Sequence, residues 1–299
     1  MDENLDHPVT VTQSAPAKIN LALHVTGRRP ASHDQAGYHE LDTLAVFGKS
    51  LREAVRVQAA DGLRLQVEGP FAASVPHDES NLVIAAARIF FSTEGIADKA
   101  LLSLKKTIPV GAGLGGGSAD AAATFRVLNR YFNTALGVRD LAELGAPLGA
   151  DIPMCVHGAA LRARGIGDVI EPFSALPPLP LVLAWPGKPV STAAVFERLR
   201  SISNAPLPDL PAACPSVEDV VIYLAQTRND LQDAALEIEP AIADALDALA
   251  ATDQCLLWRM SGSGSACFGI YPSTAQADAA ARLIGAAHPH WWVRALEAR

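Results

Sequence analysis

Polar and apolar residues alternate most clearly near the start of the chain, between positions 17 and 25. The apolar side of this segment comprises Ile19, Leu21, Leu23 and Val25, and the polar side includes Lys18, Asn20 and His24. A period of two is typical of a β-strand that buries one face. The pattern therefore predicts a half-buried strand over 17–25, and Lys18 on its polar face is expected to be solvated.

The remaining pattern predicts strands and helices in a mixed order. Strands are predicted over 41–47, 54–58, 63–67, 100–104, 159–164, 181–185, 255–259, 266–271 and 291–296. Helices are predicted over 81–91 with Ser80 as N-cap, over 119–132, 138–144, 193–199 and 274–287, and in two stretches before residue 250. Because strands and helices do not alternate strictly, the order favours an α+β fold over a doubly wound sheet. The proline-rich segment 172–180 predicts a domain boundary.

Composition and charge restrict the classes of function. The chain has 299 residues, of which 49% are hydrophobic and 19% are charged, and its net charge is −8. These values are ordinary for a soluble globular protein, and the acidic balance without a basic run excludes a broad nucleic-acid-binding face. An anionic ligand would have to be held locally, by helix ends, a few cationic side chains and a metal.

The sequence predicts neither export nor a membrane span. The first eight residues are acidic and polar, unlike a secretory signal. The most apolar stretch, 176–185, is too short to span a membrane and contains three prolines. The four cysteines show no C-x-x-C spacing, so we expect reduced thiols in a cytoplasmic protein.

The most informative motif is a glycine-rich run that enters a predicted helix. Five of the seven residues from Gly111 to Gly117 are glycine. Glycine lets backbone N–H groups approach a ligand closely, and a helix N-terminus adds unpaired donors and a partial positive charge. The run therefore predicts a cradle for the phosphates of a nucleotide. Its residues are Pro109, Val110, Gly111, Ala112, Gly113, Leu114, Gly115, Gly116, Gly117, Ser118 and Ala119.

Three other interpretations fit this run less well. The Walker pattern requires a lysine where Gly117 stands. The dinucleotide pattern is met by Gly111, Gly113 and Gly116, but it belongs on the first strand–helix turn of a βαβ unit, and here it lies in mid-chain. A flexible linker is usually flanked by polar segments, whereas this run joins an apolar strand to a helix with an apolar face.

Three further motifs combine a structural and a chemical interpretation. Asp151 precedes an Ile-Pro pair, where a carboxylate serves as a helix N-cap or as a fixed general base. The small-residue turn over 260–265 is a tight β-turn or a source of donors that closes over the phosphate cradle. Tyr38 and His39 are surface residues of a loop, or a pair that stacks on a planar base and hydrogen-bonds to it.

Taken together, these motifs resemble those of the GHMP small-molecule kinases. The superfamily's phosphate loop, P-x-G-x-G-L-G-[GS]-[GS]-[SA], is matched by 109–118, and its late glycine motif by Ser261-Gly262-Ser263-Gly264. Within the superfamily, the chain is similar to the kinases that act on a cytidine-diphosphate-linked methylerythritol. The five segments that carry this similarity are 15–21 (Ala-Pro-Ala-Lys-Ile-Asn-Leu), 37–41 (Gly-Tyr-His-Glu-Leu), 115–117 (Gly-Gly-Gly), 149–153 (Gly-Ala-Asp-Ile-Pro) and 228–231 (Arg-Asn-Asp-Leu).

This resemblance implies a two-domain α+β kinase. Its N-terminal domain, over 1–172, would bind ATP and have a ribosomal-protein-S5-like fold. Its C-terminal domain, over 173–299, would be ferredoxin-like, and the substrate site would lie in the cleft between the two. The implied reaction is ATP-dependent phosphorylation of the substrate's 2-hydroxyl, a step of non-mevalonate isoprenoid synthesis. Mg²⁺ would be bound mainly through the ATP phosphates.

The resemblance also implies roles for residues at matching positions. Asp151 would be the catalytic base, and Lys18 would be the cation that keeps this carboxylate ionised and stabilises the developing alkoxide. Asn20 would contact the substrate beside Lys18. Asn81 and Lys106 would lie near the adenosine of ATP.

The cytidine base would be bound by Tyr38 and His39, and Phe196 would close the other face of the cytosine. Phe196 is matched only by its spacing from Pro186. The segment 31–36 is an insertion relative to the family, and its position next to Tyr38 affects the pose expected for that ring.

Alternative functions remain at this stage. A sibling kinase could act on another small alcohol, such as homoserine or mevalonate, but those substrates carry no base for Tyr38 and His39 to stack on. A non-catalytic nucleotide sensor would not need both Lys18 and Asp151. A dinucleotide-dependent oxidoreductase is a third alternative, which tight NADH binding would support. The expected partner is a small molecule, with no nucleic acid and no membrane, and the chain is expected to be a monomer or a homodimer.

Overall fold

The computed structural model describes residues 10–30, 32 and 37–299. The chain forms two compact units, and each is built from separate segments. The first unit contains the residues up to Ala17, Arg52–Val110 and Gly116–His157, and the second contains Lys18–Leu51, Gly111–Gly115 and Gly158–Arg299. These units are defined by contacts in space and interleave along the chain. They therefore do not test the domain division at residues 172 and 173, which stays a prediction.

The first unit combines a small sheet with four helices. Its complete elements are β3 (Arg64–Glu68), β4 (Leu101–Lys105), α1 (Leu82–Glu94), α2 (Gly116–Phe132), α3 (Val138–Gly145) and α4 (Ile152–His157). Strand β4 pairs parallel with β3 and antiparallel with residues 54–58 of β2 (His39–Gln58). Phe90 and Phe91 of α1 are buried and meet Phe132 of α2 at centroid distances of 6.4 and 5.6 Å. This aromatic contact holds the C-terminal end of α2 against α1.

The second unit is built on an antiparallel sheet. Its complete elements are β5 (Leu161–Gly165), β6 (Val169–Pro172), β7 (Leu179–Trp185), β8 (Leu257–Met260), β9 (Cys267–Ile270), β10 (Trp292–Ala298), α5 (Thr192–Glu197), α6 (Val217–Leu224), α7 (Gln232–Ile238), α8 (Ala241–Ala250) and α9 (Thr274–Ala287). Within this unit, β7 lies between β10 and β9, and β8 pairs with β9. Helices α8 and α9 contribute Ile242, Leu249 and Ile284 to its buried core.

Two predicted element boundaries are wrong for physical reasons. The strands predicted over 41–47 and 54–58 form one strand, β2, because residues 41–45 pair with β5 and residues 54–58 pair with β4. The N-cap of α1 is Asn81, whose side chain accepts a hydrogen bond from the N–H of Val83. Ser80 instead donates its hydroxyl to Asp78.

Strand β1 (Val11–Arg28) is buried on both faces over much of its length, so the prediction of a half-buried strand is wrong. Lys18, Asn20 and His24 are only 3%, 2% and 1% exposed. Several distant segments cover the polar face: His24 contacts Ala205 and Arg228, Asn20 contacts Thr43, and Lys18 lies beside Gly115. Lys18 is therefore not solvated.

Among the residues that the structure describes, no helix is both long and apolar enough to cross a membrane.

His24 illustrates how the buried polar face of β1 is satisfied. Its Nδ1–H donates to the carbonyl of Ala205 at 2.9 Å, so its Nε2 is free to accept from the N–H of Arg228 at 3.1 Å. Burial is the main cause that lowers the pKa of His24; the positive charge of Arg228 adds to this effect, and the carboxylate of Asp230 opposes it. A protonated ring would place a second N–H against the N–H of Arg228.

We expect acid to weaken the folded state through His24. Because the pKa of His24 is lower in the folded chain, its contribution to the free energy of unfolding is complete above the unfolded value near 6.5. That contribution decreases as the pH falls through the folded pKa. Urea unfolding of the wild type at pH 7.5 and pH 5.5 should show this decrease, and His24→Asn should show a smaller one. An equal decrease in both proteins would contradict this assignment.

Candidate active site

The glycine-rich run forms a concave backbone turn before α2. Gly111, Gly113 and Gly115 have φ angles of +70°, +74° and +63°. Alternation of left-handed residues with ordinary ones turns successive N–H groups toward one point, which is an arrangement that binds anions. Helix α2 begins at Gly116, three residues before the predicted start at Ala119. The N–H groups of Gly116 to Ser118 are therefore orphan donors of a helix N-terminus.

A second turn, between β8 and β9, supports the phosphate loop at Gly113. The hydroxyl of Ser261 donates to Gly113 O at 3.1 Å and accepts the N–H of Asn20 at 3.1 Å. The N–H of Ala266 donates to Ala112 O at 2.9 Å. The turn predicted over 260–265 is thus confirmed for residues 261–265, whereas Met260 is the last residue of β8. The second unit places this turn directly against residues 112 and 113.

Lys18 lies along the same loop. Its N–H donates to Leu114 O at 3.0 Å. A methyl group placed on Gly115 would lie 3.1 Å from both Cβ and Cε of Lys18, so the lysine side chain runs close beside the loop backbone. The side chain of Asn20 donates to Thr43 Oγ1 at 2.7 Å, and its Oδ1 is buried without a hydrogen-bond partner. The second unit therefore brings Lys18, Asn20 and residues 111–115 together.

Asn229 is a structural residue of this site to which the sequence analysis assigned no role. Its Nδ2 donates to Met260 O and to Gly262 O, each at 2.8 Å, and its Oδ1 accepts the N–H of Leu231 at 3.0 Å. The buried carboxamide thus holds the second turn in place beside Gly113. The motif Arg228–Leu231 contained the signal, but only the fold reveals what Asn229 contacts.

Two of the three residues expected at the cytidine base, His39 and Phe196, contact each other in the second unit. The rings of His39 and Phe196 are stacked, with centroids 4.8 Å apart and planes 22° from parallel. Burial, and to a lesser extent the charge of Arg28, lowers the pKa of His39, so its ring is neutral near pH 7. Tyr38 is 56% exposed. Of the insertion at 31–36, all positions but Ser32 lie outside the described residues.

Asp151 belongs to the first unit and stands at the start of α4. Its carbonyl accepts the N–H of Cys155 at 3.1 Å, which is the first hydrogen bond of that helix and agrees with the N-cap position predicted for it. The far end of α4 is held by Arg126, which donates to Cys155 O at 2.8 Å and to Val156 O at 3.3 Å. A short helix fixed in this way gives the half-buried Asp151 a defined position.

The two residues expected near adenosine have clear structural contacts in the first unit. Asn81 caps α1 and donates its Nδ2 to Pro76 O at 2.7 Å. Lys106 is buried and donates to Glu53 and to Asp120, both at 2.7 Å. Burial lowers the pKa of Lys106, but its two carboxyl partners, Asp120 and Glu53, raise it by more, so the ammonium stays charged. A contact of either residue with adenosine stays a prediction.

The described residues contain no group of three or more His, Cys, Asp or Glu side chains that could hold a metal ion. Mg²⁺ keeps several waters and is commonly bound by substrate phosphates together with one or two carboxylates. Binding of Mg²⁺ through the phosphates of ATP stays a prediction.

The comparisons with known proteins agree with this geometry. The sequence profile of the GHMP kinases N-terminal domain matches residues 81–159, and that of the GHMP kinases C-terminal domain matches residues 212–289. The fold and the phosphate loop thus define a small-molecule kinase of the GHMP class, and the predicted two-domain α+β fold is confirmed.

Individual relatives show which kinase family within the GHMP class the chain belongs to. The chain is 44% identical over 279 residues to 4-diphosphocytidyl-2-C-methyl-D-erythritol kinase of Paramagnetospirillum magneticum, covering 93% of this chain and 95% of the relative. It is 47% identical over 280 residues to the enzyme of that name from Cereibacter sphaeroides, covering 93% and 96%. A crystal structure of 4-(cytidine 5'-diphospho)-2C-methyl-D-erythritol kinase has 33% identity and a TM-score of 0.76, covering 96% and 99%. The chain belongs to the 4-diphosphocytidyl-2-C-methyl-D-erythritol kinase family.

We expect Gly113→Ala to weaken nucleotide binding. A methyl group at Gly113 would lie 2.5 Å from Ser261 O and 2.8 Å from both Gly264 N and Gly264 O, and the φ of +74° is strained for alanine. Backbone atoms cannot yield as a flexible side chain would, so the two turns would have to separate. Calorimetric titration with MgADP should show a loss of at least about ten-fold in affinity, which corresponds to ~1.4 kcal/mol.

Gly62→Ala is the matched control for this substitution. No atom lies within 4 Å of a methyl group placed on Gly62, and its φ is outside the left-handed region. The control variant should bind MgADP as the wild type does. An unchanged affinity in Gly113→Ala would contradict the role assigned to the contact between the two turns.

Proposed function

We propose that this chain transfers the γ-phosphoryl group of ATP to the 2-hydroxyl of 4-diphosphocytidyl-2-C-methyl-D-erythritol, as a cytoplasmic enzyme of isoprenoid precursor synthesis. The observation that carries the proposal is the loop over 111–115, with its three left-handed glycines beside the buried Lys18. Membership of the kinase family supplies the reaction class.

The phosphate loop would bind the triphosphate. Its N–H groups and those of the first turn of α2 are uncharged donors, which suit an acidic chain with a net charge of −8. Mg²⁺ bound to ATP would offset the charge on the β and γ phosphate oxygens. Asn81 and Lys106 would lie toward the adenosine. Phosphoryl transfer has a loose transition state, so positioning and charge neutralisation supply most of the acceleration.

Asp151 would accept the proton of the attacking hydroxyl. A carboxylate held at the start of a fixed helix suits this role because a general base must be positioned before its basicity is useful. Lys18 would be the cation that stabilises the alkoxide as it forms. The burial of Lys18 strengthens such a charge interaction, since the dielectric response around it is weaker than in water. Asn20, with its unpartnered buried Oδ1, would accept a hydrogen bond from the substrate beside Lys18.

The cytidine base would be held by aromatic residues of the second unit. The stacked pair His39 and Phe196 is a ready aromatic surface for a base, and Tyr38, next to His39 in the chain, adds an exposed ring. A neutral His39 carries both a donor and an acceptor nitrogen, which matches the Watson–Crick edge of a pyrimidine.

We expect Asp151→Asn to reduce kcat by about 10²- to 10⁴-fold while the affinity for MgADP changes by less than about two-fold. The amide keeps the shape of the side chain but cannot accept the proton. Asp247→Asn, at an exposed position of α8, is the matched control and should keep full activity. Turnover is measured by ³¹P NMR as a growing phosphomonoester signal. Full activity of Asp151→Asn would contradict the proposed base.

We expect Phe196→Ala to raise the KM for the cytidine-linked substrate about ten-fold or more and to leave the KM for ATP within about two-fold of the wild type, because one face of the base would lose its stacking partner. The same assay is run with mevalonate and with homoserine. Phosphorylation of either alcohol by the wild type, with none of the cytidine-linked substrate, would favour a sibling kinase. Nucleotide binding without phosphorylation of any of the three would favour a sensor.

A further inference from the structure

Three buried ionisable side chains form a chain of contacts in the first unit, beside Gly116 at the start of α2. Lys106 Nζ is 2.7 Å from Glu53 Oε2 and 2.7 Å from Asp120 Oδ2. The side chains of Glu53, Lys106 and Asp120 are 0%, 3% and 4% exposed. Charges at such depth are costly and are usually retained only with several well-placed partners.

Glu53 binds the backbone immediately before the phosphate loop. Its Oε1 accepts two backbone hydrogen bonds, from Thr107 N at 2.7 Å and from Ile108 N at 2.9 Å. Ile108 immediately precedes Pro109, the first residue of the loop motif. With the ammonium of Lys106 on Oε2, the carboxylate accepts three hydrogen bonds in total, and it fixes the backbone where the chain leaves β4.

Lys106 links Glu53 to the helix that follows the loop, α2. It donates to Asp120, which lies in the second turn of α2. A methyl group placed on Gly116 would lie 3.1 Å from Lys106 Nζ and 3.5 Å from Glu53 Oε2. The ammonium and the carboxylate therefore lie against the first residue of α2, at the point where the loop becomes a helix. Both ends of the loop are attached to one buried cluster.

The cluster contains two carboxyl groups for one ammonium. Two carboxylates that share a buried site do not both ionise readily. Glu53 accepts three donors, whereas Asp120 accepts one on Oδ2 and its Oδ1 is without a partner. The negative charge is therefore better stabilised on Glu53. Burial is the main cause that raises the pKa of Asp120 well above its ordinary value; the charge of Lys106 opposes this, and the charge of Glu53 adds to it.

We infer that Glu53 is a positioning residue for nucleotide binding: with Lys106 it fixes the two ends of the phosphate loop, while Asp120 remains protonated and keeps the cluster neutral. Glu53 touches no substrate; it acts through the backbone of residues 107–108 and through Lys106. The inference rests on the proposed function, because it requires that residues 109–119 bind the phosphates of ATP.

The test compares three variants with the wild type in titrations with MgADP and in steady-state kinetics. Glu53→Gln removes the charge and replaces one acceptor oxygen, Oε1 or Oε2, with an N–H₂ donor. Asp120→Asn resembles a protonated carboxyl group, which can both donate and accept. Glu143→Gln is the matched control: this exposed glutamate pairs with Arg139 on α3. Circular dichroism and urea unfolding establish that each variant is folded.

We expect Glu53→Gln to weaken MgADP binding and to raise the KM for ATP by about ten- to a hundred-fold, as is typical when a buried charged hydrogen bond is lost. The KM for the cytidine-linked substrate should stay within about two-fold. A merely structural role would not separate the two KM values. Asp120→Asn should lose at least about three-fold less affinity than Glu53→Gln, and Glu143→Gln should behave as the wild type.

Three results would overturn the inference. A folded Glu53→Gln enzyme with wild-type affinity for MgADP would exclude the positioning role. An equal loss in Asp120→Asn and Glu53→Gln would exclude the protonated Asp120. Absence of MgADP binding by the wild type would overturn the proposed function together with this inference. The first two results, obtained with a wild type that binds MgADP, would overturn the inference alone. If Glu53→Gln does not fold, Glu53→Asp provides the test: an affinity clearly below that of the wild type supports the role, and wild-type affinity excludes it.

Discussion

The site of the second unit depends on backbone hydrogen bonds given by one buried strand, β1. The N–H of Lys18 donates to Leu114 O, and the N–H of Asn20 donates to the hydroxyl of Ser261. Through these two bonds, the phosphate loop and the second glycine turn are attached to neighbouring residues of the same strand. Because successive side chains of a strand point to opposite faces, Lys18 and Asn20 lie on one face and are presented together.

Several buried polar side chains connect segments that are distant in sequence. Three of them contact the backbone of a loop: Asn229 donates hydrogen bonds, Glu53 accepts them, and His24 does both. A buried polar group without a partner costs roughly 1–3 kcal/mol, so each of these contacts restricts the loop that it touches. The glycine turns, which have few side chains of their own, obtain their defined shape from such partners. This explains how a flexible composition can form a fixed cradle.

Much of the architecture could be predicted from local patterns. The α+β class, the long helix after the glycine run and the turn over 261–265 follow from periodicity and from glycine placement, which act within a few residues. The two errors have different origins. Ser80 loses the N-cap position to Asn81 because its hydroxyl donates to Asp78, only two residues away. Strand β2 continues through residues 48–51 because strands that are distant in the sequence pair with both of its ends.

The sequence alone determined the phosphate-binding motif and the kinase family, since backbone freedom at glycine and an ordered set of short motifs are properties of the chain itself. It also identified Lys18, Asn20, His39 and Phe196 as candidates. Only the tertiary structure decided that Lys18 is buried beside Gly115, that His39 stacks on Phe196, and that Asn229 and Glu53 support the two turns. The physical reason is that burial and hydrogen-bond partners depend on which distant segment covers a residue, and alternation along one strand does not contain that information.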